Sequence, residues 1–395
     1  MTGLDNNIPQ GYKNTELGVI PKDWEIVTLG NIAKVNGRIG FRGYTTADLV
    51  GAGQGAYTIG GKHIANMILD LSDAEYISWK KYYESPEIMV KKGDIVLAQR
   101  GTLGKSAYIA SDIGPATINP SLVLINRIKC NNGYLAYWLQ SSRIVNLICS
   151  INSQTSIPMI TQRQIETIPV VMPHCIQEQE AIATALSDVD GLIAALDKKI
   201  TKKRLIKQGT MYRLFSQKKE KRFRTKLGNI ANVRKGSLLT SNEFVVGSVP
   251  VIAGGKTPAG YHNVSNRMAN TITISASGAS AGYVALHSTP IFATDCSTIE
   301  PSKKYDIRYI YHLLVYHQTE IFALQTGGAQ PHIQPSDLNN IHVIYSNDII
   351  EQQEIANILS DMDKEIADLE VLRDKYRLIK SGMMQKLLTG QIRLN

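Results

Sequence analysis

Three short stretches carry residue types that do chemistry in other contexts. GTLGKS at Gly101 ends in the Gly-Lys-Ser of a phosphate-cradling loop, but the first glycine of G-x-x-x-x-G-K-[ST] would fall on Gln99. The stretch therefore reads as a Gly-rich turn between strands. NPSL at Asn119 has the opening of the N-P-P-Y/F turn with which adenine methyltransferases hold a flipped base. It lacks the second proline and the stacking aromatic, and no glycine-rich adenosylmethionine loop accompanies it, so a tight turn is the better reading. The eight histidines form no H-E-x-x-H and no H-x-E with C-x-x-C. Gly-x-Ser-x-Gly is absent, and no paired carboxylates stand near a lysine as a nuclease would need. Cys130, Cys149, Cys175 and Cys296 are scattered, which points to four reduced thiols in a cytoplasmic protein, neither disulfides nor zinc ligands. These residues describe a binding module without an active site or a metal of its own.

The binding chemistry that remains is electrostatic. Of the 395 residues, 43 are Lys or Arg and 34 Asp or Glu, a net charge of +9. From Lys198 to Lys226 there are 13 cations and one acid, Glu220. That segment carries +12, and the rest of the chain sums to about −3. Such localised charge suits a polyanion such as DNA or an acidic protein partner; a solvated helix face is the plainer alternative. No run of 18 apolar residues exists and MTGLDNNIPQGYK lacks a signal pattern, so neither a membrane span nor export is expected.

The charge sits on an element that occurs twice. With a shift of 173, Glu178–Ser216 falls on Glu351–Thr389 without a gap, and 19 of 39 pairs are identical. This is an internal duplication. In the first copy Ile182, Leu186, Val189, Ile193, Leu196 and Ile200 recur in steps of four and three; in the second, Ile355, Leu359, Met362, Ile366 and Leu369 do so. That spacing is a helical seam. Acids at the start (Glu178, Glu180; Asp348, Glu351) and cations toward the end suit the helix dipole. Asp348 with Glu351 reads as a capping box, and Gly390 can end the second helix. Two equal seams most simply pack on each other; the alternative is that each packs on its own domain. About 40 residues at ~1.5 Å each make a rod of roughly 60 Å. Gly209 and Gly382 lie at matching positions inside the rods, where ~1 kcal/mol of lost helix propensity suggests close backbone approach or a kink.

Ahead of each helix lies a β-rich segment. IPKDWEIVTLGNIAKVNGR begins at Ile20, with Trp24 as a core anchor, and KLGNIANVRKG at Lys226 repeats LGNIAKVNG at Leu29 with a shift of 198. YTIGG, GDIVLA, Ser106–Ala110 and Ser121–Ile125 in the first half have VPVIAGG, TITISAS, GYVAL and PIFATD as counterparts. Short β-branched runs broken by Gly, Pro and Asn indicate mixed sheets with long loops. RGTLG falls opposite SGASAG, and INPSL opposite DCSTI. Short helices are expected near Gly133–Ser142 and Arg308–Tyr316. The first half carries about 25 extra residues, the difference between the two shifts. The domain plan is a polar arm over 1–19, a domain over 20–172, a helix over 173–217, a second domain over 218–345 and a second helix over 346–395. The fold class is α+β.

IPKDWEIVTLGNIAKV, GDIVLAQRGTLGKSAYI, ISASGASAGYV with ATDCSTI, the twin helices and LIKSGMMQKLLTGQIRL, in this order and in duplicate, closely resemble the specificity subunit of type I restriction–modification systems. The resemblance spans about Ile20 to Leu394. It implies two target-recognition domains, each reading one half of a bipartite double-stranded DNA site, with two antiparallel helices as a spacer. It also implies two modification subunits that carry adenosylmethionine, with restriction subunits that use ATP and Mg able to join, and a prokaryotic cytoplasm. A helical ruler of roughly 60 Å caps the half-site separation at about 18 base pairs, at ~3.4 Å per step. Divergent domains imply an asymmetric target. The competing reading is an orphan or decoy subunit that sequesters modification subunits. Base reading needs Arg or Lys for guanine, Asn or Gln for adenine and apolar contacts for thymine. On that basis the candidates are Arg38, Arg42, Tyr44, Lys62, His63, Arg100 and Lys105 in the first domain, and Arg234, Lys235, Lys256, Arg267 and Ser277 in the second. Lys202, Lys203 and Lys207 of the rods are placed against either spacer phosphates or the modification subunits.

Overall fold

The computed structural model describes residues 8–65, 67–151, 158–216, 221–328 and 330–394, without the side chain of Phe41. It divides into two compact units, Met1–Ala195 with Asp374–Asn395, and Leu196–Arg373. Both are α+β.

In the first unit a four-stranded antiparallel sheet runs in the order Ser106–Tyr108, Ile95–Ala98, Leu122–Asn126, Lys34–Gly37. The apolar run of Ile95–Ala98 is continuous because both faces are covered. Ile95, Leu97, Val123 and Ile125 enter one core with Trp138 and Leu186, while Val96, Ala98, Leu122 and Leu124 enter another with Ile59 and Ile118. A second sheet runs Met89–Val90, Ala116–Ile118, Gly55–Ile59, Glu75–Ser78, Leu49–Val50, and its Ala116–Ile118 and Gly55–Ile59 pair in parallel. Trp24 is fully buried in the strand Trp24–Thr28, which pairs with Pro169–Pro173, and its indole N–H donates to Glu178 (3.3 Å).

The arm expected over 1–19 is structured from Tyr12 onward. Tyr12–Thr15 and Gly18–Pro21 form a hairpin, with Gly18 at φ +88° in the left-handed region that a turn requires. The Tyr12 hydroxyl donates to the Gly390 carbonyl (2.9 Å), and Arg393 bridges Asp23 and Glu178 (2.7 and 2.5 Å). The polar composition concealed one anchor, Tyr12. Residues 1–7 lie outside the described chain.

The second unit repeats the plan. Its four-stranded sheet runs Val284–His287, Thr271–Ser275, Cys296–Ile299, Arg234–Lys235. A three-stranded sheet runs Gly260–His262, Val249–Ile252, Phe292–Ala293, again with one parallel pair. Arg222–Lys226 pairs with His342–Ser346 as Trp24–Thr28 does with Pro169–Pro173. The strands Leu49–Val50 and Met89–Val90 and the hairpin Ile64–Ala65 with Ile68–Leu69 have no counterpart among the described residues of the second half.

The long helices span Ile176–Ser216 and Ile349–Leu387. Their packing combines the two readings of the seam. Ile182 and Leu186 sit in the first domain's core together with Leu387 and Leu388 from the far end of the other helix. In the second unit Ile355 and Leu359 do the same with Met211 and Phe215. The start of each seam thus packs on its own domain rather than only on the opposite rod, because those residues sit where the domain's short helix leaves its apolar face. Farther along, Val189 and Ile366 are buried and Ile193, Leu196, Met362 and Leu369 half-buried. Within the second unit Asp197 pairs with Arg373 (3.4 Å), Lys203 with Glu365 (2.6 Å) and Lys207 with Asp363. One number rises as the other falls, so the helices are antiparallel. In the first unit Asp190 and Lys380 pair (2.6 Å), positions that the 173-residue shift relates to Asp363 and Lys207.

Gly209 and Gly382 do not mark close approaches. A Cβ at either would meet nothing within 4 Å, and the helix runs through both. Asp348 caps the second helix, accepting from the Ile350 N–H (3.0 Å), while the Glu351 carboxylate takes the Arg222 guanidinium (2.7 Å).

A pair of glutamines fixes where each helix begins. Gln179 Nε2 donates to the Pro173 carbonyl (2.7 Å) and its Oε1 accepts from Asn131 N–H (2.8 Å). Gln352 Nε2 donates to Ser346 O (2.7 Å) and its Oε1 accepts from Asp306 N–H (2.8 Å). Each side chain ties the last strand of its domain to the cap of the helix Asn132–Gln140 or Ile307–Tyr316. Both are buried, where an unmet amide is costly.

Candidate nucleic-acid interface

Three turns of the first domain converge on a cleft of about 460 Å³. Gly60–His63 follows the strand Gly55–Ile59, Arg100–Lys105 follows Ile95–Ala98, and Asn119–Ser121 follows Ala116–Ile118. Tyr44 and Glu75 close the remaining walls. Backbone demands explain the glycines. Gly101 and Gly104 have φ of +76° and +79°, and a Cβ on Gly60 would stand 2.6 Å from Asn119 Nδ2. Asn119 Oδ1 accepts from the Ser121 N–H (2.9 Å) and hydroxyl (2.5 Å), the tight turn expected of NPSL.

Of the seven residues singled out in this domain, Tyr44, Lys62, His63, Arg100 and Lys105 line the cleft. Arg100 and Lys105 are exposed, and their side chains have no partner among the described residues. Lys62 pairs with Asp73 (3.2 Å). Arg42 pairs with Glu87 (3.5 Å).

Arg38 and His63 are supports, since burial removes them from a groove's reach. Arg38 is 7% exposed. It donates to Ile118 O (3.1 Å), Thr117 Oγ1 (3.0 Å) and Arg42 O (3.3 Å), and stands 5.2 Å from the Tyr44 ring centroid. The guanidinium therefore braces the strand that carries Asn119 and the ring that walls the cleft. His63 is 3% exposed, and its Nδ1 accepts from Gly60 N–H (2.9 Å). Burial, then the Lys62 charge, lowers its pKa, so the ring is neutral at pH 7, with its proton on Nε2 facing Asp73.

The second domain keeps the skeleton and changes the side chains. Gly101 N–H donates to Pro158 O, and Gly278 N–H to Pro331 O, both at 3.0 Å. Ile160 N–H meets Gln99 O (3.0 Å) where Ile333 N–H meets Ala276 O (2.9 Å). Asn119 N–H donates to Ile59 O as Thr294 N–H does to Ile252 O, both at 2.8 Å. This places Ser277 where the first domain has Arg100. The Ser277 hydroxyl donates to Asp295 Oδ2, and Gly254 backs onto both, its missing Cβ 2.6 Å from Ser277 O.

The other second-domain candidates fall into two groups. Lys235 and Lys256 are exposed, and Lys256 stands 5.5 Å from the Tyr283 ring centroid. Arg234 pairs with Glu300 (3.3 Å). Arg267 is spent on Thr298 Oγ1 (2.9 Å), Asn266 O (2.8 Å) and Lys235 O (2.9 Å). Asn119, Asp295, Gln179 and Gln352 were not among the residues chosen by type. The alignment of INPSL with DCSTI points to the segments of the first two but sets Asp295 against Ile118, whereas the backbone bonds set it against Ser121; for the glutamines the signal is identity at a polar position beside a seam.

The rods are less free than their charge suggests. Lys203, Arg204 and Lys207 are paired with Glu365, Glu370 and Asp363, and Lys221 and Arg222 with Asp348 and Glu351. Lys198, Lys199 and Lys202 remain exposed without a partner among the described residues. No helix among the described residues is long and apolar enough to cross a membrane.

A family model described as the type I restriction modification DNA specificity domain matches residues 21–203 and again 221–373. The putative type I restriction enzyme MjaX specificity subunit of Methanocaldococcus jannaschii is 25% identical over 98% of this chain and 97% of its own. The MjaVIII specificity subunit of the same organism is 24% identical, over 95% and 94%. The crystal structure of a type I restriction–modification S subunit from M. genitalium superposes over 98% of both chains, with a TM-score of 0.65 at 19% identity.

Proposed function

This chain belongs to the type I restriction–modification DNA specificity family, whose members recognise DNA sequence and are non-catalytic, and on that premise we propose how it works. Each domain reads one half of a bipartite, asymmetric site through the loops at its matched strand ends. Two modification subunits, which supply adenosylmethionine, bind the chain and methylate adenine; restriction subunits that use ATP and Mg complete the complex. Flipping the target base and transferring the methyl group fall to the partner. This chain supplies position and choice.

The observation that carries the reading is the pair of matched strand ends. One backbone skeleton presents Arg100 beside the Asn119–Ser121 turn in the first domain and Ser277 beside Asp295 in the second, where Asp295 O accepts from Ala276 N–H (3.2 Å) as Ser121 O does from Gln99 N–H (2.9 Å). Fixed backbone with exchanged donors and acceptors is what two readers of different sequences need, because discrimination lies in base-edge contacts rather than in fold.

The test is adenine-methylation mapping of plasmid DNA in cells that express this chain with the modification subunit of its own locus. The expected result is a bipartite, asymmetric methylated motif that disappears when this chain is omitted. A stable complex with no methylation would overturn it in favour of a decoy that sequesters modification subunits.

A further inference from the structure

The cleft of the first domain and the matched strand end of the second differ in the sign of their hydrogen-bonding capacity, and we propose that they read base edges of opposite polarity. The first reads an acceptor-rich edge, guanine, through Arg100; the second reads an exposed amino group, that of cytosine or adenine, through Asp295. This inference rests on the DNA-reading function proposed above.

In the first cleft the free groups are donors. Arg100 keeps its guanidinium fork and Lys105 its ammonium group without a partner among the described residues. Asn119 spends its carbonyl oxygen on Ser121, which leaves its Nδ2 amide facing the Gly60 turn. The one carboxylate on the wall, Glu75, lies in the strand Glu75–Ser78, which belongs to the other sheet from the strand that leads into Arg100. Guanine shows two acceptors, O6 and N7, in the major groove, spaced for the two N–H groups of an arginine fork.

At the matched strand end of the second domain the balance is reversed. Ser277 stands where Arg100 does, and its one proton is given to Asp295 Oδ2. What remains there is the other carboxylate oxygen and the serine lone pairs, which are all acceptors. A carboxylate accepts from the N4 amino group of cytosine or the N6 amino group of adenine, and it repels guanine O6 and N7. Gly254 permits the arrangement, because any Cβ would collide with Ser277 O.

The experiment maps methylated motifs for the full chain with its modification subunit, as wild type, Arg100→Ala and Asp295→Asn. Competition binding of each complex to duplexes carrying all four base pairs at every motif position accompanies the mapping. Arg100→Ala is expected to lower the preference for guanine at one position of one half-site by roughly ten- to hundredfold, the range for one bidentate pair. Asp295→Asn turns one acceptor into a donor. A cytosine preference at one position of the other half-site should shift toward adenine, guanine or thymine, all of which show the new amide an acceptor, and an adenine preference there should lose its margin over guanine and thymine. If a variant no longer methylates, the competition binding decides: lost preference at a single position supports the assignment, and retained preference overturns it. Unchanged motifs for both variants, or changes in the same half-site, also overturn it. Absence of any sequence preference in the wild-type complex would instead remove the DNA-reading function itself, before any variant is compared.

Discussion

Gln179 and Gln352 make the same two hydrogen bonds at nearly the same lengths, while Arg100 and Ser277 occupy one backbone position and share nothing chemically. The first pair lies where a domain meets its long helix; the second lies at matched strand ends. At the joints a buried amide must find both partners, so the side chain is dictated and the duplication keeps it. At the clefts the backbone is satisfied within the turns, and solvent supplies whatever the side chains lack, so type is free to change. The molecule therefore separates what must repeat from what must differ. The largest consequence is modular. Exchanging residues 20–172 for the corresponding domain of another family member should replace one half-site of the methylated motif and leave the other intact, and a change in both halves would break the comparison.

Next in size is a matched pair of joint variants. Gln179→Ala and Gln352→Ala each leave a strand carbonyl and a helix-cap N–H unmet in the interior. Each should cost about 2–4 kcal/mol in denaturant unfolding. The comparison is sharpened if the two costs agree and broken if one site is indifferent.

Much of this division was legible from residue types alone. The duplication, the seams and Trp24 follow from spacing, because periodic burial leaves periodic apolar residues. Three things did not follow. The hairpin Tyr12–Thr15 with Gly18–Pro21 was hidden because the partner of Tyr12 lies hundreds of residues away, at Gly390. Arg38 and His63 have the same composition cue as Arg100, and only burial distinguishes a brace from a free donor. Asp295 is an acid in a chain searched for cations, and its role emerges only when its strand end is set against that of Asn119.

A third contrast lies beneath the long helices. In the first unit the Tyr137 hydroxyl donates to Asp190 (2.8 Å), which also holds Lys380. The matching place in the second unit has His312, 1% exposed, with Ser360 on Nε2 (3.2 Å) and Asp363 3.9 Å from Nδ1. Desolvation, then Lys207 and Arg308, against the opposing pull of Asp306, holds the His312 pKa down to about 3. The unfolded chain therefore takes up this proton near the ordinary histidine value while the folded chain refuses it. Stability should be full above about pH 6.5 and fall progressively toward pH 4, by roughly 2–3 kcal/mol from this group. His312→Tyr, which imitates the first unit, should flatten that part of the profile in urea unfolding at pH 7 and pH 5. An unchanged slope would mean that the two positions are not equivalent.

The smallest expected effect concerns the rods. Lys203→Ala removes an ion pair with Glu365, whose side chain is 46% exposed. Solvent screens such a pair, and ordering two long side chains offsets much of its attraction, so the cost should stay below about 1 kcal/mol. Lys207 differs because its side chain is only 13% exposed and Asp363 also faces the buried ring of His312. Removing Lys207 leaves that carboxylate beside the imidazole without its cation. Lys207→Ala should therefore destabilise more than Lys203→Ala, and its effect should shrink in His312→Tyr, where a phenol hydroxyl can donate to Asp363 as Tyr137 does to Asp190. A double-mutant cycle on Lys207 and His312 measures this coupling. A coupling of zero would show that the ion pairs along the helices act singly, and that the likeness between the two units ends at the glutamines.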